Sequence, residues 1–138
     1  MASVYLPIAT TAGASAVGSP DTGKVPTGTG VDVPTPMVNT ASGASASGTS
    51  TKVMVVMQPA LLLGSVVPVT SGDEAATDGG VVSGMVDGQA TFLQGSSKVI
   101  IEGRGVVVIG HATGHNGAAP NCTGNVVSAS NATVNASL

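Results

Sequence analysis

Twenty glycines and eight prolines punctuate the 138 residues so widely that no window of helical length carries an apolar stripe free of both. An interior glycine costs a helix about 1 kcal/mol relative to alanine, and a proline about 3 kcal/mol. Helix is therefore excluded as the organising element, and a mostly β fold of short strands joined by many turns is expected.

The strands can be placed from their β-branched runs. Lys52–Met57 reads as a strand that Gln58-Pro59 breaks, after which Ala60–Leu63 forms a short apolar run. Gly80–Val86 and Gln89–Leu93 flank Asp87-Gly88, a dipeptide suited to a two-residue hairpin turn. Ser97–Ile101 and Val106–Ile109 flank Glu102–Gly105 as a second hairpin. Val53 and Val55 are expected in the core, whereas Leu61–Leu63 suits either the core or a docking face.

Residues 1–50 are rich in Gly, Ala, Ser, Thr and Pro, which predicts flexible or extended backbone. Prolines 20, 26, 34 and 36 exclude a helix there, and order in this segment implies a surface that holds it. The stretch from Asn125 to Leu138 reads as a disordered end or a strand laid on a partner. No repeat of fixed period is evident.

The apolar content is 42%, yet there is one Phe, one Tyr and no Trp, so the core must be built from Val, Ala and a few Leu, Ile and Met. Burying a valine contributes roughly 1.5 kcal/mol or somewhat more, while ordering each residue costs about 1–2 kcal/mol. A metal, an oligomer or a large partner is expected to help. Charged residues are 8% of the chain and the net charge is −3, with the bases Lys24, Lys52, Lys98 and Arg104 scattered. Nucleic acid and anionic membranes, which are bound through clustered Lys and Arg, are unsuited as partners. So little charge suits a surface that is covered. One cysteine permits no internal disulfide, and the first twenty residues hold no Lys or Arg and no apolar run long enough for a signal peptide. Sequons at Asn121, Asn131 and Asn135 carry little weight in so Ser/Thr-rich a chain.

Both histidines and the cysteine fall within Gly110–Gly124. His111, His115 and Cys122 are three candidate ligands in a glycine-rich loop, a set that suits tetrahedral zinc, with the fourth ligand unknown. On spacing alone the same residues read better as two surface-turn histidines and a buried small thiol. Asp73 and Glu74 are adjacent, so their side chains point oppositely on extended backbone, and a solvent-facing turn pair is expected. Asp78, before two glycines, is expected to cap a turn. No nucleophile elbow, acid–base–nucleophile set or phosphate loop is present, so no catalytic residue is assigned.

Ser71–Gly84, Gly88–Phe92, Lys98–Gly103 and Ile109-Gly110 together resemble the PAAR-like spike-tip family of bacterial contractile injection systems, in type VI secretion or related particles. Pro20-Asp21, Lys24–Thr27 and Val33–Pro36 with Asn39 resemble that family's early proline-rich segment. The resemblance spans about residues 20 to 125. It implies one domain over residues 1–138, a small cone of short β-hairpins in a pseudo-threefold arrangement, with 1–19 and 126–138 as extended tails packed on a partner. It further implies that a single copy caps the blunt end of a homotrimeric β-helical spike and sharpens it for membrane puncture, with possible attachment of an effector or toxin. Such a protein is assembled in the bacterial cytoplasm without a signal peptide, inserts stably in no membrane, and leaves the cell at the tip of the particle. No toxin domain is expected beyond residue 138. Several members hold zinc near the apex by three His and one Cys, and Gly23 stands here where relatives often have Cys. Gly110–Gly124 is then the apex, with His111, His115 and Cys122 as zinc ligands. Two alternatives belong to other classes: a zinc-dependent hydrolase using an open metal position, and a secreted, self-assembling or adhesive β protein.

Overall fold

The computed structural model describes residues 5–129 and 133–137. Twelve strands are present among them: β1 Tyr5–Pro7, β2 Ser15–Pro26, β3 Asp32–Ser42, β4 Met54–Val55, β5 Gln58–Pro59, β6 Val66–Val67, β7 Ala90–Phe92, β8 Ile100–Ile101, β9 Arg104–Gly105, β10 Ala112–His115, β11 Cys122–Ser128 and β12 Asn135–Ser137. The helical content of the described residues is one 3₁₀ turn, Gly43–Ser45, capped by the Ser42 hydroxyl. The expectation of a mostly β chain with little helix is met. Six strands form one antiparallel sheet in the order β3-β2-β11-β10-β7-β6, and β1-β12, β4-β5 and β8-β9 form three two-stranded ladders.

The segment expected to be flexible or extended is extended, and it forms the longest hairpin of the molecule, held by pairing within the chain. β2 and β3 pair from Ser15↔Ser42 to Pro26↔Asp32, with an irregularity between Gly18 and Asp21, where the Ser19–Pro20 bond is cis. Pro34 and Pro36 fit because β3 lies at the sheet edge. They sit opposite Lys24 and Thr22. Lys24 N–H donates to Gly79 and the Thr22 carbonyl accepts from Val81, so both β2 residues bond away from β3. Two prolines spaced by two lack donors on the same outward side, which an edge strand tolerates.

The three small ladders form a ring. Ala9 N–H donates to the Val107 carbonyl, Val107 to Leu61, and Leu61 to Ala9, at 2.8–3.0 Å. One turn out the cycle repeats in the opposite sense: Leu63 donates to Gly105, Ile109 to Pro7, and Thr11 to Pro59. The bridges Ile8↔Val108, Ala60↔Thr10 and Val106↔Leu62 complete the set. Residues 9, 61 and 107 are thus equivalent about a pseudo-threefold axis. Each ladder supplies a buried apolar pair to one cluster: Ile8 with Ala136, Val55 with Ala60, and Ile101 with Val106. The symmetry is written in the sequence after all, because Thr51–Ser65 and Ser97–His111 align position for position, with Lys52/Lys98, Val53/Val99 and Gly64/Gly110 identical. In the third unit the two strands, β12 and β1, come from opposite ends of the chain.

Several local expectations change. Asp87-Gly88 turns no hairpin: β7 pairs with β6 and β10, and residues 80–86 are turns tied to β2 and Asn121. The hairpin around Glu102–Gly105 does form, but tighter, with Glu102 and Gly103 at positive φ and β9 beginning at Arg104. Gln58-Pro59 continues a strand, since Val56 and Met57 take the positive-φ turn before it. Val55 is buried and Val53 is exposed, while Leu61 and Leu62 are core and Leu63 is exposed. The described parts of the presumed tails pair within the chain: Ser15–Ser19 in β2, Val126–Ser128 in β11, and β1 with β12. The Asn131 sequon lies outside the described residues.

Successive hairpins are also latched by side chains. The Glu102 carboxylate accepts from the backbone N–H groups of Thr51, Lys52 and Val53 and from the Thr51 hydroxyl. Those bonds hold its pKa down at about 2. At the next joint the Ser96 hydroxyl donates to Ser137, the position equivalent to Glu102.

Candidate functional site

Two features of the fold can carry function: the outer face of the ring and the histidine–cysteine stretch. On the ring, the alternation of each ladder turns one residue inward and its neighbour outward. Val55 and Ile101 point in, and Met54 and Ile100, at equivalent positions, are half exposed. Tyr5, Val56 and Met57 add further exposed apolar surface at the hairpin ends, with Met57 89% exposed. Exposed apolar side chains also occur away from the ring, at Val31, Val69, Val82 and Leu93 among others, so what distinguishes the ring is that two of them recur at equivalent positions.

The histidine–cysteine stretch is more polar and deeply buried. His115 pairs with Cys122 across β10 and β11, and both side chains lie against Gly18, where a Cβ would come within 2.7 Å of the ring and 2.9 Å of the sulfur. Asn39 Oδ1 can only accept, so His115 Nδ1 carries the proton and donates to it at 2.8 Å. Nε2 then accepts from the Thr113 hydroxyl at 2.8 Å. Burial lowers the His115 pKa, against a smaller opposing pull from Asp21. The chain of bonds runs on: Asn39 donates to Thr70, whose hydroxyl donates to the Gly88 carbonyl. Asn116 and Asn121 tie the same region to Asp21, Met85 and Gly88.

His111 stands apart. Four residue steps of extended backbone separate it from His115, roughly 13 Å at the usual strand rise, and the Thr113 side chain lies between them. Its Nδ1 accepts from Val108 N–H at 3.2 Å, which leaves the proton on a buried Nε2 with no partner among the described residues. Burial lowers its pKa. Leu62 N–H donates to Ser65 at the equivalent place in the ring, so His111 serves a turn as Ser65 does.

A model of the toxin PAAR-like domain matches residues 14–130. The chain belongs to this family. The match takes in β2 to β11 and stops short of β1 and β12, which close the ring. No curated protein and no solved structure matches the chain. A PAAR-like domain has, in general, a spike-tip or toxin-related structural role.

The zinc expected from the resemblance does not fit the three candidate ligands of this PAAR-like chain. Both nitrogens of His115 are engaged by Asn39 and Thr113, and His111 lies roughly 13 Å along the extended backbone from His115, so the three side chains do not converge. Zinc takes deprotonated ligands converging on one point. Gly23 offers no room for the family's cysteine either, since a Cβ there would fall 2.3 Å from the Ala76 Cβ. Among the described residues no three His, Cys, Asp or Glu are grouped to hold a metal ion. Dialysis against EDTA is expected to leave the melting temperature unchanged; a fall of several degrees reversed by zinc would restore the metal.

The polar residues that do meet here were partly legible. Pro20-Asp21 and Asn39 carried the resemblance, and both Asp21 and Asn39 are fully buried anchors. Asp73 departs from the solvent-facing pair expected with Glu74: it is buried, and Glu74 is exposed, accepting from Gly72 N–H. The Asn121 side chain is committed to Asp21, Thr22, Val82 and Ser83, so it is no glycan acceptor.

Proposed function

We propose that a single copy of this chain caps a homotrimeric β-helical spike of a contractile injection system, sharpening it for membrane puncture and offering a platform to which an effector attaches. The observation that carries this reading is the cyclic hydrogen-bond ring of three equivalent two-stranded ladders, 9→107→61→9, with apolar side chains on its outer face. One chain facing a trimer meets three identical surfaces. A monomer whose own backbone repeats three times about an axis can offer each of them a similar edge, which a chain without such symmetry cannot. Exposed β-ladders and apolar groups at the ring are liabilities on a free monomer, and docking on a spike covers them. In this reading the particle is assembled in the bacterial cytoplasm and carries the chain out at its tip.

Mixing the purified chain with a trimeric spike and measuring the mass of the complex tests the reading. One copy per three spike chains is expected; a ratio of one to one, or no complex with any spike of a contractile system, would sink it.

A further inference from the structure

Three aspartates meet at the junction of β2, the β6–β7 loop and the turn between β10 and β11. Asp21 and Asp73 are at most 1% exposed and Asp87 is partly buried. One oxygen of Asp21 accepts from the side chains of Asn121 and Asn116, and one oxygen of Asp73 accepts from Asp87 N–H at 3.1 Å. The Asp73 carboxyl interacts with those of both Asp21 and Asp87. The remaining oxygens, Asp21 Oδ2, Asp73 Oδ2 and Asp87 Oδ1, are buried with no donor among the described residues.

Asp21 and Asp73 are fully buried and Asp73 has a second carboxyl neighbour in Asp87, so the cluster cannot stay fully ionised, since a buried carboxylate lacks water and repels the next. The other titratable groups around them bring no positive charge: His115 from β10 is held neutral by burial, and Cys122 from β11 is a thiol. No set of three His, Cys, Asp or Glu among the described residues is grouped for a metal ion. A proton is the neutralising species left, and it also turns an acceptor into the donor that the orphaned oxygens require.

We infer that the folded chain holds a proton in this cluster, with Asp73 as the neutral carboxyl donating to Asp87, so that the β6–β7 loop is latched to the β2–β11 body more firmly in acid than at neutral pH. The loop depends on this junction, because Val82, Ser83, Met85 and Gly88 are all bonded to Asn121 or Asn116. Burial raises Asp21 despite the two asparagines, and burial followed by Asp87 raises Asp73. A carboxyl raised on folding stabilises fully below its ordinary value of 3.8, and that contribution is lost as pH rises through the folded value. The two buried histidines, lowered on folding, act in the opposite direction below 6.5. The diagnostic quantity is therefore the difference between the parent and one variant, in which the histidines cancel.

Asp73→Asn is that variant. Its carbonyl keeps the bond from Asp87 N–H, and its amide places a permanent donor where the proton sat. The melting temperature of Asp73→Asn minus that of the parent is expected to grow by roughly 5 °C between pH 5 and pH 8. A difference that stays constant would overturn the inference. Infrared spectroscopy of the parent chain needs no variant: a protonated-carboxyl C=O band is expected at pH 7, and its absence would refute the bound proton. A melting temperature at pH 7 raised by calcium, with that rise abolished in Asp73→Asn, would assign the cluster to a cation and overturn the proton.

Discussion

Replacing Leu61 with alanine is expected to destabilise the chain by about 3–5 kcal/mol, the upper part of the range for a buried leucine. Leu61 is fully buried, lies in one of the three equivalent positions of the backbone ring, and packs in a cluster with Ala9, Ala14, Ala16, Ala41, Val67, Ala90, Phe92, Val107 and Val126. Five of those nine neighbours are alanines, which have no side-chain rotamer with which to close a cavity. The cost is then the lost burial plus nearly the whole cavity. For a chain of this length it corresponds to a melting temperature lower by roughly 10–20 °C. Leu63→Ala, two residues on and 41% exposed, is expected to cost under about 1 kcal/mol. Urea unfolding of both variants checks the contrast, and equal losses would mean that the ring does not organise the core.

That ring was only partly legible in the sequence, for a physical reason. Thr51–Ser65 and Ser97–His111 repeat by side-chain class, but their turns differ: Val56-Met57 in one, Glu102-Gly103 in the other. Turn chemistry ordinarily marks a hairpin through glycine or asparagine, and Val56 and Met57 carry no such mark. The third unit leaves no local signature, because β1 and β12 come from opposite ends of the chain. Long-range pairing likewise explains why residues 1–50, expected to be flexible or extended, form an ordered hairpin. Small residues and prolines look unstructured one at a time, yet glycine at 18 and 124 is what lets β2 and β11 approach: a Cβ on Gly124 would meet the Val17 carbonyl oxygen at 2.0 Å. The mostly β class was legible because glycine and proline forbid the helix wherever the chain is read. The candidate site was legible as a region and not as chemistry. Placing His111, His115 and Cys122 in one loop suggested convergence, whereas an extended β10 spreads the histidines apart. Asn39, from a distant hairpin, and Thr113 take both nitrogens of His115.

Converting Met54 and Ile100 together to aspartate is expected to abolish spike capping while leaving the fold intact. These are equivalent positions of the ring, 50% and 55% exposed in the free chain, so charge there meets water and should move the melting temperature by no more than about 2 °C. In a complex the same positions would be enclosed, and a buried unpaired carboxylate commonly costs 3 kcal/mol or more. Two of them predict an affinity for a trimeric spike weaker by at least about 100-fold, read by titration at constant ionic strength. The third equivalent position is Asn135, already polar and exposed, which is why the pair rather than a triple change suffices. Val82→Asp provides the control. Val82 is 69% exposed but belongs to the loop held by Asn121, outside the ring, and its change should leave capping untouched. If Val82→Asp abolished binding and the ring pair did not, the docking face would lie at the aspartate junction, and the threefold ring would be an internal support of the cone instead of its base.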